Sequence, residues 1–321
     1  MRVLSRNRPD RIALRGAPLP LPGFIPAVAG TGSLDRMIWP HLSRVCPLGV
    51  LVSAPSFFWV HHEPLPAPAR LWIDGGSFGV FAHGGAWEEQ ADGTGLLSLR
   101  FGDERVTVTW DRLLELQARH AAVGFTLDIP VPVGCPPDEA RRRLGASVAN
   151  ARAMALARGR DAGFLLYASL PLADDREATL DALDVLLSLP VDGVALGGVA
   201  GRREAWGPCL DFVRLVRSRI GRLLLHVFGV GRPDRVRELH EAGADTVDSS
   251  SPLRDALSGR LTGSGGLGIG DPSPLERMHL ALCNLARLAG VSQGLEAAGF
   301  MISGRIARLA NNPDPEKEAG P

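Results

Sequence analysis

The stretch Leu223-Leu-Leu-His-Val-Phe-Gly-Val-Gly-Arg-Pro-Asp234, followed after a short amphipathic segment by Ala244-Asp-Thr-Val-Asp-Ser-Ser-Ser251, decides the fold. It reads as a strand, a Gly-Pro break, a helix over Pro233 to Ala242, and a second strand that stops at a carboxylate, Asp248. Strand, helix and strand in that order imply parallel pairing through a right-handed crossover. In a barrel of such units the C-terminal strand ends are where chemistry is assembled. Asp248 is therefore the first candidate catalytic residue.

The same unit recurs outward from this segment. Apolar runs bounded by Gly, Pro or Asp predict eight strands: Phe24 to Ala29, Gly49 to Ser53, Leu71 to Ile73, Val123 to Leu127, Gly163 to Tyr167, Gly193 to Leu196, Leu223 to Phe228, and Thr246 to Val247. Helices are predicted at Leu34 to Leu42, Trp110 to His120, Pro137 to Arg158, Arg176 to Leu187, Glu204 to Ile220, and Pro233 to Ala242. The Pro137 helix opens well, because proline in a first turn wastes no hydrogen bond and Asp138 and Glu139 suit the positive end of its dipole. Eight such units close most naturally as an α/β (β/α)8 TIM barrel. Two alternating runs, Leu96 to Phe101 and Arg105 to Trp110, predict a β-hairpin inserted after the third strand.

The Gly-, Ser- and Pro-rich stretch Ser258 to Pro274 reads as a flexible loop, and Leu275 to Leu288 and Leu295 to Leu309 read as helices of a C-terminal appendage. Asn311 to Pro321 reads as a disordered tail, so residues 1–310 form a single domain in this reading.

Bulk properties narrow the class. The 321 residues carry 35 basic and 35 acidic side chains, so net charge advertises no nucleic-acid partner, although a local basic face stays open. Four scattered cysteines, Cys46, Cys135, Cys209 and Cys283, start neither a zinc ribbon nor a disulfide framework. The N-terminus lacks the apolar core of a secretory signal, and no apolar run approaches the ~20 residues of a membrane span. The expectation is a cytoplasmic protein with no membrane contact, no metal and no cofactor. His226, inside an apolar run, reads as a hydrogen-bonded core histidine rather than a metal ligand, and His61-His62 with Trp59 reads as a loop cluster.

Set against the strand ends, the polar residues form a short list. Asp74 follows the third strand and opens the loop Gly75-Gly-Ser-Phe-Gly79. Asp128 follows the fourth, Gly197-Gly198 the sixth, and Asp248 ends the eighth. Two carboxylates in one pocket can divide into a nucleophile and a general acid/base when their surroundings push their pKa values apart. Displacement at a sugar C1′ uses such a pair. A third carboxylate can accept hydrogen bonds from a donor-rich edge such as the N1–H and N2–H2 of guanine, and paired glycines let a flat base approach the backbone.

Five segments carry a resemblance: Trp72-Ile-Asp-Gly-Gly-Ser-Phe-Gly-Val-Phe81, Leu127-Asp-Ile-Pro-Val-Pro132, Ala195-Leu-Gly-Gly-Val199, His226-Val-Phe-Gly-Val-Gly-Arg-Pro-Asp234, and Ala244-Asp-Thr-Val-Asp-Ser-Ser-Ser-Pro-Leu-Arg254. In order and spacing they resemble the tRNA-guanine transglycosylases, over roughly residues 10–260. The resemblance implies a barrel enzyme that removes guanine from a polynucleotide and installs a 7-deazaguanine such as queuine, its precursor, or the archaeosine precursor. It implies Asp248 as nucleophile and Asp74 as general acid/base. Asp128, Gly197, Gly198, Tyr167 and Glu204 would bind the base, and Arg254 and Arg260 the nucleic acid. It also brings a homo- or hetero-dimer into view.

The chain departs from the family pattern in three places. Gly79 replaces a glutamine, Tyr167-Ala168-Ser169 stands where Gln-Gly is usual, and the three cysteines and histidine that hold zinc are absent, so no metal is assigned. Duplex DNA is an alternative polymer to tRNA; a non-catalytic base-binding or partner subunit, and a barrel acting on a small molecule, are readings from other classes.

Overall fold

The computed structural model describes residues 9–290, apart from 15, 30–31, 60–69, 83, 102, 160–161, 203 and 264–267. Eight parallel strands form one sheet. They are β1 (Gly23–Pro26), β2 (Val50–Ser53), β3 (Leu71–Asp74), β4 (Val123–Phe125), β5 (Leu165–Pro171), β6 (Gly193–Gly197), β7 (Leu224–Val227) and β8 (Thr246–Ser249). From β2 to β8 successive strands pair in chain order, and β8 pairs with β1. A parallel bridge between Ala27 and Leu51, with Val28 N–H donating to Leu51 O at 2.9 Å, joins β1 to β2 and closes the ring. The α/β (β/α)8 barrel expected from the sequence is the observed fold.

Each strand alternates its side chains between two surroundings, as a pleat requires. One set, including Ile25, Leu51, Trp72, Phe125, Tyr167 and Ala195, fills the barrel interior. The other set, including Phe24, Val50, Ile73, Leu166, Leu196 and Val247, packs under the outer helices. The helices Trp110–His120, Pro137–Arg158, Arg176–Leu187 and Pro233–Ala242 have the predicted bounds, and the predicted helix at Glu204 begins two residues later, as Trp206–Ile220. The predicted helix at Leu34 is divided into Ser33–Ile38, a 3-10 turn Trp39–His41 and Leu42–Val45, because Pro40 cannot continue a regular ladder.

Three differences from the sequence reading have physical causes. A hairpin of Arg11–Leu14 and Ala17–Pro20 precedes the barrel and seats Ile12 and Leu14 on the interior cluster; its short, proline-containing strands carry little periodic signal. The inserted hairpin has a third strand: Ala86–Glu89 pairs with Gly95–Phe101, which pairs with Glu104–Val108. The strand Ala86–Glu89 is mostly exposed, so its sequence lacks an apolar face. Finally, the helix Pro274–Ala289 packs on β1 and on the helices Ser33–Ile38, Leu42–Val45, Pro233–Ala242 and Ser251–Leu257, and so occupies the outer ring after β8. The predicted helix over Leu295 to Leu309 and the tail from Asn311 lie outside the described residues.

The barrel interior has an aromatic floor. Trp72 and Tyr167 meet edge to face at 5.8 Å between ring centroids, and Phe125 meets Tyr167 at 5.7 Å. Tyr167 is fully buried, and its hydroxyl has no hydrogen-bond partner among the described residues. A buried hydroxyl without a partner is destabilising, so Tyr167→Phe is expected to raise unfolding stability by about 1 kcal/mol in urea titrations. A loss of stability would contradict this placement.

Candidate active site

The site is built by the strand pleat at the C-terminal mouth of the barrel. Trp72 points inward, so Asp74, two residues on, points inward one layer higher. The same step leads from Ala195 to Gly197 on β6 and from Thr246 to Asp248 on β8. Asp74 and Asp248 both stand inside their strands rather than after them. Asp74 pairs with Ser53 on β2 and Asp248 with Ile25 on β1, so each is held by paired backbone on one side.

Asp74 is partly buried, and its Oδ1 accepts from Gly76 N–H at 2.9 Å. Gly76 has φ +76°, and a Cβ there would lie 2.5 Å from Ser53 Oγ and 2.7 Å from Pro55 Cγ. Only glycine lets the loop fold back onto Asp74 in this way. Burial pushes the Asp74 carboxyl up to about 7; the negative charges of Asp248 and Asp128 add to the rise, and hydrogen bonds from Gly76 and Ser53 oppose it. The sensitivity to both carboxylates joins three distant segments in one electrostatic unit. A group that titrates near neutrality can both give and take a proton at physiological pH.

Asp128 lies just beyond β4, with Ser77 Oγ donating to its Oδ1 at 2.7 Å and lying 2.9 Å from its carbonyl oxygen. Burial raises the Asp128 carboxyl above the usual range, while the Ser77 hydroxyl works against the rise. A Cβ on Gly197 would stand 3.9 Å from Asp128 Oδ2, so the unencumbered glycine borders the free side of this carboxylate. Gly197 O accepts from Leu172 N–H at 3.0 Å, and Gly198 O from Arg202 at 3.3 Å. Arg202 also donates to Asp174 at 2.6 Å, and Asp174 accepts from Gly134 N–H at 2.7 Å. The loops after β4, β5 and β6 are thereby tied together around the Gly197-Gly198 edge.

Asp248 is buried, and two nitrogens converge on its Oδ1: His226 Nε2 at 3.1 Å and Gly229 N–H, which donates, at 3.0 Å. Among the described residues nothing donates to Oδ2. His226 Nδ1 lies 2.9 Å from Thr246 Oγ1. Its ring packs against Phe228 at 4.6 Å, Phe125 at 5.0 Å and Trp72 at 5.8 Å between centroids. The histidine is thus the hydrogen-bonded interior residue expected from the sequence, but its partner is the candidate nucleophile.

The remaining candidates are distributed differently. Tyr167, expected at the base, sits instead in the aromatic floor below the mouth, because β5 runs on to Pro171 and carries Tyr167 two layers beneath its end. Glu204 lies exposed on the turn before the Trp206–Ile220 helix, with no hydrogen bond among the described residues. Arg254 is exposed on the Ser251–Leu257 helix that follows β8, and Arg260 is exposed and paired with Asp255 at 3.3 Å. Phe78, 75% exposed in the loop after β3, was not singled out by sequence; a large apolar ring beside Ser77 at the mouth is the signal that marks it.

The zinc implied by the family resemblance does not fit the residues present. Where its ligands would fall, Thr262 N–H donates to Asn284 Oδ1 at 2.8 Å and Thr262 Oγ1 to Asp255 at 2.8 Å. His279 and Cys283 stand one turn apart on one helix, with burial pushing the Cys283 thiol up to about 11. Among the described residues no three His, Cys, Asp or Glu side chains come close enough together to hold a metal ion.

Three carboxylates, Asp74, Asp128 and Asp248, thus stand around the C-terminal mouth of an eight-stranded parallel barrel. A family model described as queuine tRNA-ribosyltransferase matches residues 62–284, and the chain belongs to this tRNA-guanine transglycosylase family. No curated protein matches the chain. The family is one of pentosyltransferases that bring together a nucleic acid and a free base. No helix among the described residues is long and apolar enough to cross a membrane.

Proposed function

We propose that this protein exchanges guanine in a polynucleotide, tRNA in the first instance, for a 7-deazaguanine through a glycosyl ester on Asp248. The observation that carries the reading is the placement of Asp74 at the end of β3, Asp128 beside the same loop through Ser77, and Asp248 on β8, at one mouth of the barrel. Asp248 Oδ2 attacks C1′ as the C1′–N9 bond breaks, and the departing purine takes the proton held by Asp74. In the second half, the nitrogen of the incoming base gives its proton to Asp74 and displaces Asp248 from C1′. Esterification removes the Asp248 charge that raises the Asp74 pKa, which favours the Asp74 carboxylate needed at that stage.

Asp128 accepts from the N1–H and N2–H2 edge that guanine and 7-deazaguanines share, so one pocket serves both bases. Gly198 N–H, which has no acceptor among the described residues, faces the opposite, carbonyl side of the base in this reading. Phe78 offers an aromatic face on which a base taken out of its stack can rest. Arg254 and Arg260 supply phosphate contacts beside β8. The four free cysteines suit a reducing cytoplasm.

Asp128→Asn is expected to lower kcat/KM for guanine exchange about 10- to 100-fold, since an amide replaces a charged acceptor; an unchanged value would remove Asp128 from the base. The proposal itself is tested by offering radiolabelled guanine with bulk tRNA and, separately, with duplex DNA. Label is expected in tRNA. Label in DNA alone would move the substrate to DNA, and label in neither would overturn base exchange.

A further inference from the structure

We infer that His226 is a positioning residue that, together with Gly229 N–H, cradles Asp248 Oδ1, commits Oδ2 to attack, and promotes breakdown of the glycosyl ester. The inference rests on the reading of Asp248 as nucleophile.

The cradle is fixed by its surroundings. His226 is fully buried, its ring is enclosed by Trp72, Phe125 and Phe228, and Nδ1 is tied to Thr246 Oγ1 at 2.9 Å. The Thr246 hydroxyl can donate or accept, whereas an ionised carboxylate only accepts. With Asp248 ionised, as its role as nucleophile demands, the 3.1 Å contact with Oδ1 puts a proton on Nε2. Gly229 N–H, 3.0 Å from the same oxygen, is a second donor. Thr246 and Asp248 are two residues apart on β8 and share a face, so a single imidazole on β7 spans both layers.

Two donors on one oxygen act differently in the two halves of the reaction. In the free carboxylate they hold charge on Oδ1 and leave Oδ2 as the unencumbered nucleophile. When the Oδ2–C1′ bond forms and the C1′–N9 pair leaves with the protonated purine, Oδ1 becomes the ester carbonyl oxygen and its negative charge falls. When the incoming base bonds to C1′ and passes its proton to Asp74, the C1′–Oδ2 pair returns to Asp248 and charge grows again on Oδ1, where both donors already sit. The cradle favours carboxylate over ester, and so speeds the second half.

The test uses the full chain and whichever of tRNA or duplex DNA takes up radiolabelled guanine. In single-turnover runs, His226→Phe is expected to accumulate adduct stable on denaturing gels, with adduct breakdown slowed about 10- to 100-fold and adduct formation not slowed. His226→Gln, whose amide N–H reaches a depth similar to that of imidazole Nε2, is expected to restore breakdown. Imidazole nitrogen NMR on the wild-type chain is expected to show a protonated Nε2 whose signal moves in Asp248→Asn. An unprotonated Nε2, or equal loss in both half-reactions for both His226 variants, would overturn the inference. Adduct formation with an unchanged partition in His226→Phe sinks the cradle alone; exchange without any adduct in the wild type sinks the nucleophile and the cradle together.

Discussion

Asp248→Asn is expected to abolish guanine exchange, slowing it by at least about 10⁴-fold while leaving a folded protein. The amide is nearly isosteric, and its oxygen can still accept from His226 Nε2 and Gly229 N–H, the two donors on Oδ1. The amide nitrogen then replaces Oδ2 and cannot form the ester. A second consequence follows from charge. Asp248 raises the Asp74 carboxyl, so in the amide variant Asp74 is expected to titrate below its value of about 7, as read by carboxyl-carbon NMR. Undiminished exchange in this variant would remove Asp248 from the chemistry.

Asp74→Asn is expected to slow exchange about 10²- to 10⁴-fold, the range for loss of a positioned acid/base. In the wild type, the first half-reaction needs the protonated carboxyl, so its rate is expected to fall as pH rises through about 7. The same shift has a stability consequence of defined sign. The folded chain keeps a proton on Asp74 that the unfolded chain releases near the ordinary value of 3.8, so stability falls as pH rises from 3.8 to about 7. An asparagine does not titrate. Asp74→Asn is thus expected to be more stable than the wild type at pH 8, by about 4 kcal/mol, with little difference at about pH 4, in denaturant titrations at the two pH values. A pH-independent difference would show that Asp74 is not raised.

Most of the barrel could be read from sequence because its strands are short apolar runs cut by Gly, Pro and Asp. Asp74, Asp128 and Asp248 stood out as charges placed where such runs end, and the structure brings all three to one mouth. What remained hidden depended on contacts between distant segments. Ser77 reaches Asp128 across 51 residues, and His226 gains meaning only from Thr246 and Asp248 on the next strand. Tyr167 was misplaced because the apolar run of β5 has no internal stop, so its end could not be located from pattern alone. Glu204 was drawn to the site by the family resemblance alone, but the turn that carries it is exposed.

Loss of the zinc ligands also has a structural counterpart. The segment after β8 is held by Asn284, whose side-chain amide donates to Pro252 O at 3.0 Å and Arg260 O at 3.1 Å, and by an antiparallel bridge between Arg260 and Gly268. A buried asparagine with three satisfied contacts fixes the two ends of the loop by hydrogen bonds.

The most direct test of the central claim is mass mapping of the covalent species formed when the wild-type chain meets guanine-containing tRNA or DNA and is quenched in denaturant. The expected result is a polynucleotide ester on the peptide carrying Asp248, discharged when free guanine is added. Guanine exchange with no ester, or an ester on any other residue, would contradict it.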